Sequence, residues 1–202
     1  MGTVVLTLNK RRNIVTKSDI AKEIAEQQNP KLIDVPLSKG FDRADFLGQP
    51  VIDTSNMIFV FGSNTGGIHG AGAARFALEH RGARMGVGFG LIGQSYAIPT
   101  KGVYRHKRRG QAIVKVGDTL DLSTIKRYVD EFLRDATKRQ DLMFQVTCIG
   151  CGLAGLTDED VAPMFLAAPE NCVFDEFWRG HLGDTGPGPQ GTSFVRRYWG
   201  SF

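Results

Sequence analysis

The sequence predicts an α/β fold, and three observations carry that prediction. Met57 to Phe61 (MIFVF) and Phe144 to Ile149 (FQVTCI) are short apolar runs of the length expected for strands buried on both faces. Each run ends in a glycine-rich loop, at Gly62 and at Gly150, that leads toward a helix. Between them, residues 124–138 place Ile125, Tyr128, Val129, Phe132, Leu133 and Ala136 on one face of a helix.

The elements follow in chain order. Val4 to Leu8 reads as a short strand and Ser18 to Gln28 as an amphipathic helix, with Ser18 as N-cap and Ile20 and Ile24 as an apolar pair. Pro30, Pro36 and Pro50 then punctuate an irregular stretch, so residues 1–55 are taken as an N-terminal extension. A core spans residues 56–178. In it, residues 70–80 (GAGAARFALEH) form a helix with a small-residue face, and Ser95 to Ile98 and Ile113 to Val116 form short strands. Pro163 is tolerated only in a first helical turn, which puts a further helix start near Asp160. Residues 179–202 are rich in glycine and proline and read as a tail, either flexible or docked. The aromatics Phe194, Tyr198, Trp199 and Phe202 favour packing of its end against something.

Composition narrows the class. The chain has 202 residues and 25 glycines, about twice the roughly 7% of an average protein, yet its 42% hydrophobic content is ample for a core. No apolar run approaches the roughly 18 residues of a membrane span, and the charges of MGTVVLTLNKRRN follow its apolar stretch, unlike a signal peptide. The expected setting is soluble and cytoplasmic, without a membrane partner. Three cysteines make no disulfide framework, and Cys148-x-x-Cys151 lacks the second ligand pair that a zinc site needs. No metal and no cofactor are expected.

The net charge of +4 is concentrated in residues 101–110 (KGVYRHKRRG), which hold five cations and no acid. This run reads as a solvated basic loop or as a contact for phosphates. With Lys10, Arg11 and Arg12 it makes nucleic acid a possible partner through Lys101 to Arg109, although no aromatic stacking platform accompanies it.

Thirteen glycines fall within residues 62–93 and 150–155, around two loops. The first, GSNTGGIHGAGAA, can turn backbone N–H groups toward an anion and ends at a helix N-terminus, so a phosphate or diphosphate suits it. It lacks the G-K-[ST] of a P-loop. Gly88-x-Gly90-x-x-Gly93 precedes a strand where a dinucleotide fingerprint needs a helix, and Gly93-Gln94-Ser95 lacks the second glycine of a nucleophile elbow. The second loop, IGCGLAGL, offers another concave backbone surface.

Three segments in order resemble the macrodomain family of ADP-ribose-binding modules, over about residues 57–178. They are Phe59 to Asn64 followed by Gly70-Ala71-Gly72-Ala73-Ala74, Ser95-Tyr96-Ala97-Ile98-Pro99-Thr100-Lys101, and Ile149-Gly150-Cys151-Gly152-Leu153-Ala154-Gly155-Leu156. The second is similar to the lysine-dependent subgroup that removes terminal ADP-ribose from proteins or DNA, and the whole string to short macrodomain-like proteins of bacteria and their phages. The resemblance implies a three-layer α/β/α fold with a mixed central sheet. It implies that Ser63 and Asn64 lie at the ligand, with Asn64 on the distal ribose, and that Gly70, Ala71 and Gly72 line ribose and diphosphate. Gly150, Cys151, Gly152, Leu153, Ala154 and Gly155 would wrap the diphosphate, and Thr100 would precede the nucleophile, Lys101.

The subgroup carries an aspartate after Gly-Cys-Gly-Leu, where this chain has Ala154. Acid–base help is then expected from Asp158 or Asp160, or is absent. The implied function is hydrolysis of an ADP-ribosyl derivative, on ADP-ribose or an ADP-ribosylated macromolecule. The alternatives are a non-catalytic module for ADP-ribose or an NAD-derived nucleotide, and an ADP-ribose 1″-phosphate phosphatase.

Overall fold

Alternation along the strand Ile58–Asn64 sends Ile58 and Val60 to one face of a sheet and Phe59 and Phe61 to the other, and all four are buried. The computed structural model describes residues 52–109 and 111–200, the side chain of Arg108 excepted. The expected strand Val4 to Leu8, the expected helix Ser18 to Gln28, Lys10, Arg11, Arg12 and Phe202 lie outside the described residues.

The strands are β1 (Ile58–Asn64), β2 (Gly90–Ile92), β3 (Ser95–Arg108), β4 (Gln111–Thr119), β5 (Phe144–Val146), β6 (Cys172–Asp175), β7 (Thr185–Pro187), β8 (Ser193–Val195) and β9 (Arg197–Gly200). The helices are α1 (Gly72–His80), α2 (Leu122–Lys138), α3 (Asp158–Val161) and α4 (Arg179–Leu182). One mixed sheet runs β2, β3, β1, β5, β6, β9, with β4 paired to β3, and β7 and β8 form a separate hairpin. β1 is parallel to β3 and β5, β5 to β6 and β6 to β9, whereas β2 and β4 are antiparallel to β3.

Helices cover both faces. α1 lays Ala74 and Ala77 on Phe59, Phe61 and Ala97, small residues that let helix and sheet approach closely. On the other face α2 buries Ile125, Val129, Phe132, Leu133 and Ala136 against Val60, Tyr96, Ile98 and Phe144. The Phe132 ring lies 5.0 Å from that of Tyr96 and 5.4 Å from that of Phe144, both edge-on. Burying a side chain of this size contributes about 1.5–3 kcal/mol. The α/β class is as the sequence predicts, and the sheet between its helices is mixed.

Several element boundaries differ from expectation. β3 does not end near Ile98 but continues to Arg108, because residues 101–108 pair with β4. The basic run is therefore one arm of a β-hairpin, not a loop, carried by β-formers such as Val103, Tyr104, Val114 and Val116. The helix expected near Asp160 starts at Asp158. Thr157 caps it, its hydroxyl accepting the Asp160 N–H while the Asp160 carboxylate accepts the Thr157 N–H. Pro163 falls in the 3-10 turn Ala162–Phe165 that follows. The end of the tail is docked, since β9 extends the sheet beside β6.

Candidate functional site

Parallel β1, β3, β5 and β6 end at one edge of the sheet, where loops leave the strands and ligands bind in open α/β sheets. A cleft of about 800 Å³ lies at this edge. Ser63 and Asn64 at the end of β1 line it, as do Thr100 and Lys101 of β3, Gly70, Ala71 and Gly72 leading into α1, and Gly150, Cys151, Gly152, Leu153 and Ala154. Of the ligand-loop residues singled out from sequence, Gly155 alone does not line it.

The first loop is held by its own side chains. The Asn64 amide donates to the Ile68 carbonyl at 2.8 Å, and its oxygen accepts the N–H groups of Gly66 and Ile68 at 3.3 and 3.0 Å. Asn64 thus spends most of its hydrogen-bonding capacity fixing the loop's shape. Ser63 Oγ stands 3.0 Å from His69 Nε2 in a buried pair, and Thr100 Oγ1 donates to the Ser63 carbonyl at 3.2 Å. α1 begins at the cleft with Ala71 as N-cap, and no side chain caps it. Its first-turn N–H groups are left for a ligand or solvent.

The second loop is strapped from outside. Lys101 Nζ donates to the Leu153 carbonyl at 3.3 Å, and Thr119 Oγ1 to the Ala154 carbonyl at 2.6 Å. Among the described residues no acceptor meets the N–H groups of Gly152, Leu153 or Ala154. The Cys151 and Gly155 N–H groups are used internally, bonding Cys148 and Gly152 carbonyls. Gly155, at φ +72°, makes the closing turn of the loop. A Cβ on Gly152 would meet nothing within 4 Å, so this position opens onto the cleft.

Sequence reasoning named Asp158 only as one of two acids and Cys148 only as half of a rejected zinc pair, and missed Asp175, Thr119, His69 and Phe177. Asp158, Asp175, Cys148 and Phe177 all line the cleft, whereas Asp160 does not. The Asp158 carboxylate accepts Trp178 Nε1–H at 2.7 Å, and that of Asp175 accepts the Phe177 N–H at 3.1 Å. Burial pushes the Cys148 and Cys151 thiols far up, with the Asp175 and Asp158 carboxylates adding to it, so both stay protonated. Both are free thiols, and among the described residues no group of three or more His, Cys, Asp or Glu could hold a metal ion. Asp175 carried one weak signal, a carboxylate closing the otherwise apolar strand Cys172–Asp175. In the sheet Lys101 on β3 and Asp175 on β6 are separated by β1 and β5. Three strand spacings put their backbones about 14 Å apart. The cleft therefore has a cationic and an acidic end.

The glycines divide differently from expectation. Of those within residues 62–93, only Gly62, Gly70 and Gly72 line the cleft. Gly67 and Gly88 instead let two loops interlock: a Cβ on Gly67 would lie 2.3 Å from the Val87 nitrogen, and one on Gly88 2.1 Å from the Asn64 carbonyl oxygen.

Fold and site together define an α/β protein with a mixed sheet and a glycine-lined cleft at the carboxyl edge of its parallel strands. No family model, no curated protein and no solved structure matches the chain. Among the described residues no helix is long and apolar enough to cross a membrane.

Proposed function

We propose that the cleft binds ADP-ribose or an ADP-ribosyl derivative and that the chain hydrolyses the ADP-ribosyl bond, with Lys101 as nucleophile, the activity that the resemblance to macrodomains implies. One observation carries the binding half. The uncapped start of α1 and the unpaired N–H groups of Gly152, Leu153 and Ala154 line one cleft, a backbone cradle suited to a diphosphate. Exposed Phe177, with Asp158 and Asp175, gives the acidic end an apolar face and acceptors for a nucleoside. Lys101 then stands toward the distal ribose.

In this scheme the Lys101 amine forms a bond to the anomeric carbon as the bond to the acceptor breaks. The acceptor leaves with a proton, and water later displaces the lysine and releases ADP-ribose. Of the two acids named from sequence, Asp158 lines the cleft and Asp160 is spent in the α3 capping box, so Asp158 is the candidate proton carrier. A second reading, a non-catalytic binding module, is favoured by Ala154, which puts no carboxylate where the lysine-dependent subgroup has one.

Calorimetry with ADP-ribose, combined with release assays on mono-ADP-ribosylated protein and DNA, separates these readings. Wild type is expected to bind and to release ADP-ribose. Lys101→Ala should keep measurable binding, since Thr119 still holds the loop at Ala154, and lose release by about 100-fold or more. Gly152→Glu should lose binding at unchanged melting temperature, because its side chain enters open space facing the diphosphate position. Binding without release supports the module, phosphate release from ADP-ribose 1″-phosphate supports the phosphatase, and absence of binding by wild type sinks all three.

A further inference from the structure

Beyond the cleft, the feature with most unused chemistry is the hairpin of β3 and β4. β3 pairs with β1 only up to Lys101 and with β2 only over residues 95–97. From Val103 to Arg108 its partner is β4 alone, so the hairpin leaves the sheet as a two-stranded ribbon. It leaves from the edge that holds the cleft, since Lys101 at its root and Val116 and Gly117 of β4 line that cleft.

The two faces of the ribbon differ. Directly opposed residues of an antiparallel pair share a face, so Val103 and Val116, Arg105 and Val114, and Lys107 and Ala112 lie on one face. Tyr104 and Lys115, and His106 and Ile113, lie on the other. The Tyr104 ring covers Gly117 there, and its hydroxyl donates to Asp118. The first face thus carries Val103 and then the two cations Arg105 and Lys107 along β3, beside Val116, Val114 and Ala112 along β4. Arg105 and Lys107 are exposed, and so are Val114 and Val116. Residues 101–119 hold six cations and one acid, and among the described residues no ion pair involves Lys101, Arg105, Lys107 or Lys115.

We propose that this ribbon binds a single-stranded nucleic acid, with the phosphate backbone along Arg105 and Lys107 and the bases over Val116, Val114 and Ala112. The five residue steps from Val103 to Arg108 extend about 17 Å, enough for a short run of nucleotides. Alternate residues on one strand face are about 6.7 Å apart, close to the separation of successive phosphates on an extended single strand. An unpaired strand exposes both its charge and its base faces, matching the cations of β3 and the apolar side chains of β4, whereas a duplex hides its base faces. The chemistry is that of a cationic track that neutralises phosphates, with aliphatic side chains beside it for the bases to pack on. The inference stands without the cleft's ligand.

The test uses the full chain and a fluorescein-labelled dT 20-mer, followed by anisotropy across a salt series. Affinity should fall linearly with salt on logarithmic axes, and the double variant Arg105→Ala/Lys107→Ala should flatten the slope by about 1.4, at about 0.7 for each phosphate no longer neutralised. It should weaken binding at low salt about tenfold or more while leaving the melting temperature unchanged, since both side chains are exposed. Wild-type binding that is undetectable at low salt would overturn the proposal, as would a slope that the variant leaves unchanged. Tighter binding of a duplex 20-mer would also overturn it, and equal binding of a poly-glutamate 20-mer would reassign the ribbon to an acidic protein.

Discussion

His69 illustrates how a residue can matter at the cleft without facing it. Its ring is 1% exposed, packs edge-on against Phe61 at 5.2 Å, and shares one hydrogen bond with Ser63 Oγ. Nδ1 has no partner among the described residues, so the pair fixes the first loop while leaving part of the ring's polarity unmet. Burial pushes the His69 pKa below its usual value, so the folded protein holds the ring neutral where the unfolded chain begins to bind a proton. The resulting stability is present above the unfolded value of about 6.5 and is lost as pH falls toward the lower folded value. Thermal melts of wild type between pH 7 and pH 5 are expected to show this loss, at up to about 1.4 kcal/mol per pH unit for a single proton. His69→Gln should lack that component. An identical pH dependence in both proteins would remove His69 as its source.

At the scale of elements, glycine separates what was legible from what was not. Strand, glycine loop and helix could be read because buried strands and an amphipathic helix impose different periods, and the two glycine loops pointed to an anion site, whereas the individual cleft residues, Thr100 and Lys101 among them, came from the resemblance to macrodomains. Glycine spacing does not tell a loop that meets a ligand from one that meets another loop. Gly70 and Gly88 look alike in sequence, yet Gly70 has no atom within 4 Å of a Cβ and Gly88 would clash with the Asn64 carbonyl. Gly70→Ala should therefore leave stability unchanged within about 0.5 kcal/mol, whereas Gly88→Ala should cost about 1–3 kcal/mol or more through forced backbone movement. Urea titrations compare them, and equal midpoints would show that the interlocked loops yield freely. The ribbon was legible only in its second arm, as the strand Ile113 to Val116: the cations of the first arm mask its strand alternation, and pairing of Arg105 with Val114 is visible only once β4 lies beside it. Asp175 reached the cleft through the register of β6, which no local pattern encodes.

On the scale of the whole molecule, the last residues complete a sheet that begins more than a hundred residues earlier. β9 pairs Val173 with Arg197 and Phe174 with Tyr198, covering the outer edge of β6. Arg196 is buried, and its guanidinium donates to the Thr185 carbonyl at 3.0 Å and the Leu166 carbonyl at 2.5 Å. Trp199 Nε1 donates to the Val146 carbonyl, tying the tail to β5. The Tyr198 ring is buried beside Phe174, its hydroxyl donates to the Gly183 carbonyl at 2.6 Å, and the Arg179 guanidinium lies 4.1 Å from its ring centre. β6 ends in Asp175, so the tail also braces the acidic end of the cleft. Tyr198→Ala removes a large buried ring together with a satisfied hydroxyl, a loss of about 3–5 kcal/mol for such a ring. At about 2–4 °C per kcal/mol for a chain of this size, the melting temperature should drop by about 6–20 °C, and a chain ending at Gly183 should melt lower still or fail to accumulate folded. A melting temperature for Tyr198→Ala within about 2 °C of wild type would mean that β9 is an accessory strand and that the sheet is complete at β6.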